Sequence, residues 1–257
     1  MKILFVGDIF SKLGRSCFER NVKRIKNEQK INFIIANGEN ISHGKGMNEG
    51  HYKWLLEQGV NVITLGNHAF QQKSIFNFID EVNNVVRPIN MVCEHGKGYV
   101  TVNYNGLKIT VFQVIGKVLM DEANLSPFIE TKKLLEELDS DIIICDVHAE
   151  ATSEKIAFGY AFDGKVSAIL GTHTHVQTSD ARVLENGTAY ITDVGMTGAL
   201  DGVIGVQKDI IIDRYLNEGR QKFTPEDSGK SQFCAVIIDI DEKTMKAKAI
   251  ETIRIIE

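Results

Sequence analysis

Residues 33–68, FIIANGENISHGKGMNEGHYKWLLEQGVNVITLGNH, decide the fold. Phe33 to Ala36 is short, apolar and β-branched, and reads as a buried strand. Glu49 to Gln58 reads as a helix, and Asn61 to Leu65 returns as a second strand. Strand–helix–strand repetition of this kind predicts a parallel or mixed sheet covered by helices. Upstream, Lys2 to Val6 is another strand, ending at Gly7-Asp8. Arg15 to Lys30 sets Phe18, Val22 and Ile25 at helical spacing among charges. Downstream, Gln71 to Val82 is expected to form a third helix.

The pattern then changes. Tyr99 to Tyr104 and Leu107 to Val114 flank Asn105-Gly106, the signature of a type I′ hairpin. Thr131 to Leu138 reads as a helix, and Asp141 to Val147 as a strand ending at His148. Val166 to Leu170 is a strand that runs into Gly171-Thr172-His173-Thr174-His175. Ala189 to Thr192 leads into the glycine-rich Asp193 to Gly205. Tyr215 to Ser231 is polar and expected as a long surface loop. Phe233 to Ile240 and Lys246 to Ile255 close the chain as a hairpin. No repeat, low-complexity tract or linker interrupts residues 1–257, so the expectation is a single domain of the α/β class.

The composition is that of a globular protein, with 257 residues, 43% hydrophobic and 25% charged. No apolar run approaches the ~20 residues that span a bilayer, and the opening Met1 to Asp8 turns polar too soon for a secretory signal. A cytoplasmic protein without a membrane partner is therefore expected. Cys17, Cys93, Cys145 and Cys234 show no paired spacing and read as free thiols, Cys145 in the core. A net charge of -5 and a pI near 5.8 argue against a wide basic face for duplex nucleic acid.

Polar residues collect where the apolar runs stop: Asp8; Glu39 and Asn40; Asn67 and His68; His148; His173 and His175. In an α/β sheet the carboxyl ends of neighbouring strands face one crevice. Carboxylate and imidazole together suit iron, manganese or zinc. His173 and His175, two apart, fall on one side of an extended segment. Glu39 is placed to bridge two metals ~4 Å apart. Glycines at 7, 38, 66 and 171 allow sharp turns and close approach. Any one of these residues alone would more often be a cap or a satisfied core partner. Five separate strand ends with ligand-type side chains are what point to a metal site.

These blocks, Gly7-Asp8, Asn37-Gly38-Glu39-Asn40, Gly66-Asn67-His68, His148 and Gly171-Thr172-His173-Thr174-His175, resemble the calcineurin-like metallophosphoesterases. The stretch Thr192-Asp193-Val194-Gly195-Met196-Thr197-Gly198 brings the resemblance to the YmdB-type bacterial phosphodiesterases, over essentially the whole chain. The resemblance implies a four-layer α/β/β/α sandwich with two mixed sheets. It implies one metal on Asp8, Glu39, Asn40 and His175, and a second on Glu39, Asn67, His148 and His173. Iron is the first expectation and manganese the second. His68 would be the proton donor to the leaving oxygen, opposite a hydroxide formed from a metal-bridging water.

The implied substrate is a 2′,3′-cyclic nucleotide. The alternatives are a 3′,5′-cyclic nucleotide, a short RNA, or a non-catalytic nucleotide- or RNA-binding regulator. A homo-oligomer is left open. Three departures from the wider superfamily stand out: Asp8-Ile9-Phe10 lacks the usual histidine two residues on, Glu39 replaces the bridging aspartate, and Ala69 follows His68 where an acid is usual.

Other features are weaker. Ser228-Gly229-Lys230-Ser231 lacks the earlier glycine of a phosphate-binding loop. Lys45 in His43-Gly44-Lys45-Gly46 could face a phosphate or simply be a mobile loop residue. Glu150 supports a ligand or sits in solvent, and Asp193 to Gly205 lines the pocket or forms a tight turn. His51 and His95 are expected at the surface and Trp54 in the core.

Overall fold

The computed structural model describes residues 1–257. In chain order the strands and helices are β1 (Lys2–Val6), β2 (Asp8–Ile9), α1 (Ser11–Gln29), β3 (Phe33–Asn37), α2 (Glu49–Glu57), β4 (Val62–Thr64), β5 (Val85–Val86), β6 (Tyr99–Tyr104) and β7 (Leu107–Ile115). They continue with α3 (Pro127–Glu137), β8 (Ile142–His148), α4 (Thr152–Phe162), β9 (Ala168–Thr172), β10 (Arg182–Val183), β11 (Ala189–Ile191), β12 (Met196–Ala199), α5 (Lys208–Asn217), β13 (Ser231–Ile240) and β14 (Ala247–Ile256).

Two mixed sheets result. The first runs β2-β12-β13-β1-β3-β4-β5 with β14 on β13; β1, β3, β4 and β5 are mutually parallel, and β13 is antiparallel to β1. The second runs β10-β11-β9-β8-β7-β6, in which β7, β8, β9 and β11 are parallel.

Strand alternation explains the layering. Ile3, Phe5, Phe33 and Ile35 point inward from the first sheet and meet Ile142, Ile144, Ala168 and Leu170 of the second. The intervening residues point the other way. Leu4, Val6, Ile34 and Ala36 pack under α1 and α2 through Phe18, Val22, Ile25 and Leu55. Cys145, Val147 and Ile169 pack under α3 and α4 through Leu134, Phe158 and Phe162. Because both faces of each parallel strand are covered, these segments are apolar throughout, and the four-layer α/β/β/α sandwich follows.

The hairpin at Asn105-Gly106 forms as expected, with φ of 52° and 90° and Tyr104 opposite Leu107. The helix expected over Gln71 to Val82 does not form; only Lys73–Asn77 winds, as a 3-10 turn. Aromatic, β-branched and Asn residues make poor helix there. Burial of Ile75, Phe78 and Ile79 and the stacking of Phe70 on Phe76 at 5.3 Å set the path instead. Helix α4 was not legible in the sequence, and α5 takes the first residues of the expected loop over Tyr215 to Ser231. Trp54 is only half-buried, packed against the outer core of the first sheet. No helix is long and apolar enough to cross a membrane.

Phe5 is fully buried between the sheets. We expect Phe5→Ala to cost about 3–5 kcal/mol of unfolding free energy in urea. A loss below about 1 kcal/mol would mean that the inner layer is not the principal core.

Candidate metal centre

The parallel strands of both sheets stop at one end of the molecule. Asp8 opens β2, Glu39 and Asn40 follow β3, Asn67 and His68 follow β4, His148 ends β8, and His173 and His175 follow β9. The structure brings all eight expected residues together. Asn40 Nδ2 lies 3.4 Å from Asp8 Oδ1 and 3.2 Å from His175 Nε2, which is 3.7 Å from Asp8 Oδ1. His148 Nε2 lies 3.2 Å from Glu39 Oε1, 3.0 Å from Asn67 Oδ1 and 3.1 Å from His173 Nδ1.

Glu39 joins the two groups, since Oε1 is also 2.9 Å from Asn40 Nδ2, while Oε2 accepts the His68 backbone N–H at 3.1 Å. Ligand-type atoms of Glu39, His148 and His173 lie within 4.8 Å of one another, an arrangement that can hold an ion. Gly66 passes over this cluster so closely that a Cβ would stand 2.1 Å from Glu39 Oε2 and 2.6 Å from His148 Nε2. Only glycine fits there. Gly7 and Gly171 are tight for another reason, because each meets backbone, the carbonyls of Gly195 and Thr192.

A second layer aims the imidazoles. Asp146 is buried and accepts from Thr64 Oγ1 (2.6 Å), Asn37 Nδ2 (3.2 Å), Gln113 Nε2 (2.8 Å) and Thr172 Oγ1 (2.6 Å). An ionised carboxylate only accepts, so Thr172 donates its hydrogen to Asp146 and must itself accept from His148 Nδ1, 2.9 Å away. His148 Nε2 therefore faces the cluster. His175 Nδ1 is 3.0 Å from the Ile204 carbonyl, which turns Nε2 inward in the same way. His173 is reversed: Nε2 meets Glu150 Oε2 at 3.3 Å and Nδ1 faces His148. Glu150 thus supports an imidazole, one of its two expected readings.

The segment carrying the histidine pair is not extended, contrary to the expectation for His173 and His175. Both have positive φ, 97° and 65°, so the chain coils after β9 and the two rings enter the cluster from different sides. Such backbone costs about 1–3 kcal/mol per residue unless the surroundings fix it. Here they do. Lys155 and Asp193 form a buried ion pair at 2.8 Å; Lys155 Nζ also donates to Thr172 O, and Asp193 Oδ2 accepts from both Thr174 N and Thr174 Oγ1.

Electrostatics within the cluster are lopsided. Burial raises the Asp8 carboxyl, only partly opposed by His175 and His148. Burial acts likewise on Glu39, but His148 and His68 outweigh it and hold the carboxyl well below the usual range. His148 is pushed up to about 9, because Glu39, Asp8 and Asp146 overcome its desolvation. His173 is pulled down to about 3 by burial and by the charge of His148. The buried carboxylates thus collect one proton on His148, where a metal cation would supply the charge instead.

The sequence profile of the YmdB-like protein family matches residues 4–253. The chain belongs to the YmdB-like family. It is 45% identical over 258 residues to the Bacillus subtilis (strain 168) 2′,3′-cyclic-nucleotide 2′-phosphodiesterase, covering 99% of this chain and 97% of that one. A Mycoplasma pneumoniae crystal structure described as a novel phosphatase superposes with a TM-score of 0.96 at 37% identity, over 100% of this chain and 94% of the other. A hypothetical protein from Thermus thermophilus superposes with a TM-score of 0.94 at 38% identity, over 100% of both chains. This member of the family is accordingly an enzyme of the phosphoester-hydrolysing class.

Within this family member the partner of His68 is Asn40, whose Oδ1 lies 3.0 Å from His68 Nδ1. Ala69, at the position where an acid is usual, is core. His51, expected at the surface, is half-buried with Nδ1 2.6 Å from Ser42 Oγ; His95 is exposed and pairs with Asp80. Lys45 and Ile204 line a pocket of about 320 Å³ beside the cluster. Sequence reading missed its other wall, Phe10, Val206, Phe223 and Pro225, because these residues come from separate loops with no shared pattern. It also missed Asp146 and Lys155, and named Asp193 only within a stretch expected to line the pocket or form a turn. An aspartate inside the run Ile142 to Val147 was the one local signal for this layer.

Below pH about 9 the metal-free protein carries a proton on His148 that a metal must displace. Calorimetric titration with Mn²⁺ at pH 7, in buffers of differing ionisation enthalpy, should show release of about one proton, with affinity weakening toward acid pH. Binding without proton release would show that His148 does not carry the extra proton in the metal-free protein. Lys155→Met leaves Asp193 buried and unpaired, and should cost about 3–5 kcal/mol and lower metal occupancy. Normal metal content in that variant would show that the ion pair does not hold the 173–175 segment.

Proposed function

We propose that the chain hydrolyses 2′,3′-cyclic nucleotides at a dinuclear metal centre, with His68 as proton donor. The observation that carries this reading is the inward convergence of Asp8, Glu39, Asn67, His148, His173 and His175, two carboxylates among them buried with imidazoles as their only ionic partners. Asp8, Glu39, Asn40 and His175 would hold one ion, and Glu39, Asn67, His148 and His173 the other. Iron or manganese fits such mixed oxygen and nitrogen donors. Bound there, the ions would neutralise phosphate charge and acidify water toward ~7, so that hydroxide forms near neutral pH. The name of the Bacillus subtilis relative supports the cyclic-nucleotide substrate.

Asn40 links ligation to proton donation. The amide nitrogen now facing Asp8 and Glu39 cannot bind a cation, so ligation needs Oδ1 on that side. The same turn sets Nδ2 against His68 Nδ1, 3.0 Å from the present Oδ1. His68 Nδ1 then accepts, and the ring presents Nε2–H to the pocket that His68 lines. Held this way, the ring offers its Nε2–H to the departing oxygen.

The rival reading, a nucleotide-binding regulator, would leave this ligand set and its second layer without a role. His68→Gln tests the proposal. Both metals should stay bound, while the cyclic nucleotide, whose alkoxide needs a proton, slows ~10²-fold or more. Bis(p-nitrophenyl) phosphate, with a good leaving group, should slow less. Equal losses on the two substrates, or loss of metal, would sink the assignment of His68 as acid.

A further inference from the structure

Two kinds of side chain line the pocket beside the cluster: polar Glu39, Asn40, His68, His173 and His175, and apolar Phe10, Ile204, Val206, Phe223 and Pro225. Phe10 is not free to meet a ligand face-on. It is buried, stands edge-on to His175 with centroids 5.7 Å apart, and has Gly44 and Gly205 so close that a Cβ on either would come within 2.6 or 2.5 Å of the ring. Phe223 is different. It is 45% exposed, the one aromatic in an otherwise polar stretch from Glu218 to Asp227.

That exposed ring is held in place. The Arg214 guanidinium lies 4.4 Å from its centroid, backing one face. Gln207 N donates to Thr224 O at 3.0 Å and Glu226 N to Gly205 O at 2.8 Å, tying the segment to the loop that also carries Ile204. Ser11 Oγ donates to Asp227 Oδ1 at 2.8 Å, tying it to the start of α1. A flat apolar surface kept exposed by this many bonds, in the same pocket as the residues proposed to handle phosphate, suits a planar aromatic ligand group.

We infer that Phe223 is the platform on which the substrate's nucleobase stacks, and so a specificity-determining residue; this rests on the phosphodiesterase reading above. With the phosphate at the cluster and the ribose between, the base meets Phe223, and His43, Lys45 and Gln71 line the polar flank. Stacking is tolerant of base identity because every base has a π-face. The enzyme should therefore discriminate little among the four bases, and strongly against a cyclic phosphate that has none.

The test compares the metal-loaded wild type with Phe223→Ala on a 2′,3′-cyclic nucleotide and on glycerol 1,2-cyclic phosphate, which has the same ring ester without a base. Phe223→Ala should raise KM for the nucleotide about tenfold with kcat retained, and leave the base-free ester unchanged. Phe223→Tyr should restore the nucleotide KM. Equal change on both esters, or none, overturns the inference. If the wild type turns over neither ester, the phosphodiesterase reading falls instead, and binding decides on the platform. In Phe223→Trp, read against the one native tryptophan, Trp54, adenosine 3′-monophosphate should quench the added indole and ribose 5-phosphate should not. Equal quenching by the two, or none, overturns the platform.

Discussion

Asp8 and Glu39 are carboxylates without solvent, and the ion pairs they make are to imidazoles only. Burying a charge is costly unless it is paired and hydrogen-bonded, and an imidazole pairs only while it holds a proton. The site meets this constraint poorly by itself, by lodging a proton on His148 while His173 is kept neutral. A divalent ion would meet it better, since it would satisfy both carboxylates without a proton on His148. The centre is therefore a place where the fold stores an electrostatic demand, and the rest of the molecule keeps that demand from relaxing.

Two further buried aspartates account for most of that restraint. Asp146 gathers four donors from β3, β4, β7 and β9, so it ties the ends of both sheets together beneath the cluster. Through Thr172 it also sets the ring nitrogen that His148 presents. Asp193, neutralised by Lys155, holds Thr174 and thereby a backbone turn that neither histidine would adopt unaided. The first aspartate fixes an imidazole's tautomer and the second fixes imidazole positions. Neither reaches the cavity.

Much of this was legible in the sequence. Apolar runs ending in Asp8, Glu39, Asn67, His148 and His173 announced both the parallel strands and the cluster, because a strand buried on both faces must be apolar until it stops. What failed depended on contacts between segments. The Gln71 to Val82 stretch has the spacing of a helix, yet packing of Phe70 on Phe76 and of Ile75 on the core overrode it. The coil at His173 to His175 depends on Asp193, eighteen residues or more away, and no local pattern reports it. The orientation of His68 depends on Asn40, which the sequence suggested only as a ligand.

The division of labour along the chain follows from these physical differences. The cluster is built from residues 8 to 175 at the ends of buried strands, where register leaves little freedom and a single Cβ at Gly66 would not fit. The apolar wall is built largely from Ile204, Val206, Phe223 and Pro225, in the loops before and after α5. Changes in the wall can alter which groups flank the phosphate while the strand ends stay in place. Changes in the strand ends cannot be absorbed, because Glu39 belongs to both groups of donors and any shift of it disturbs both at once. Under the proposed function, chemistry is set by strand ends that register fixes, and selectivity by the loops on either side of α5.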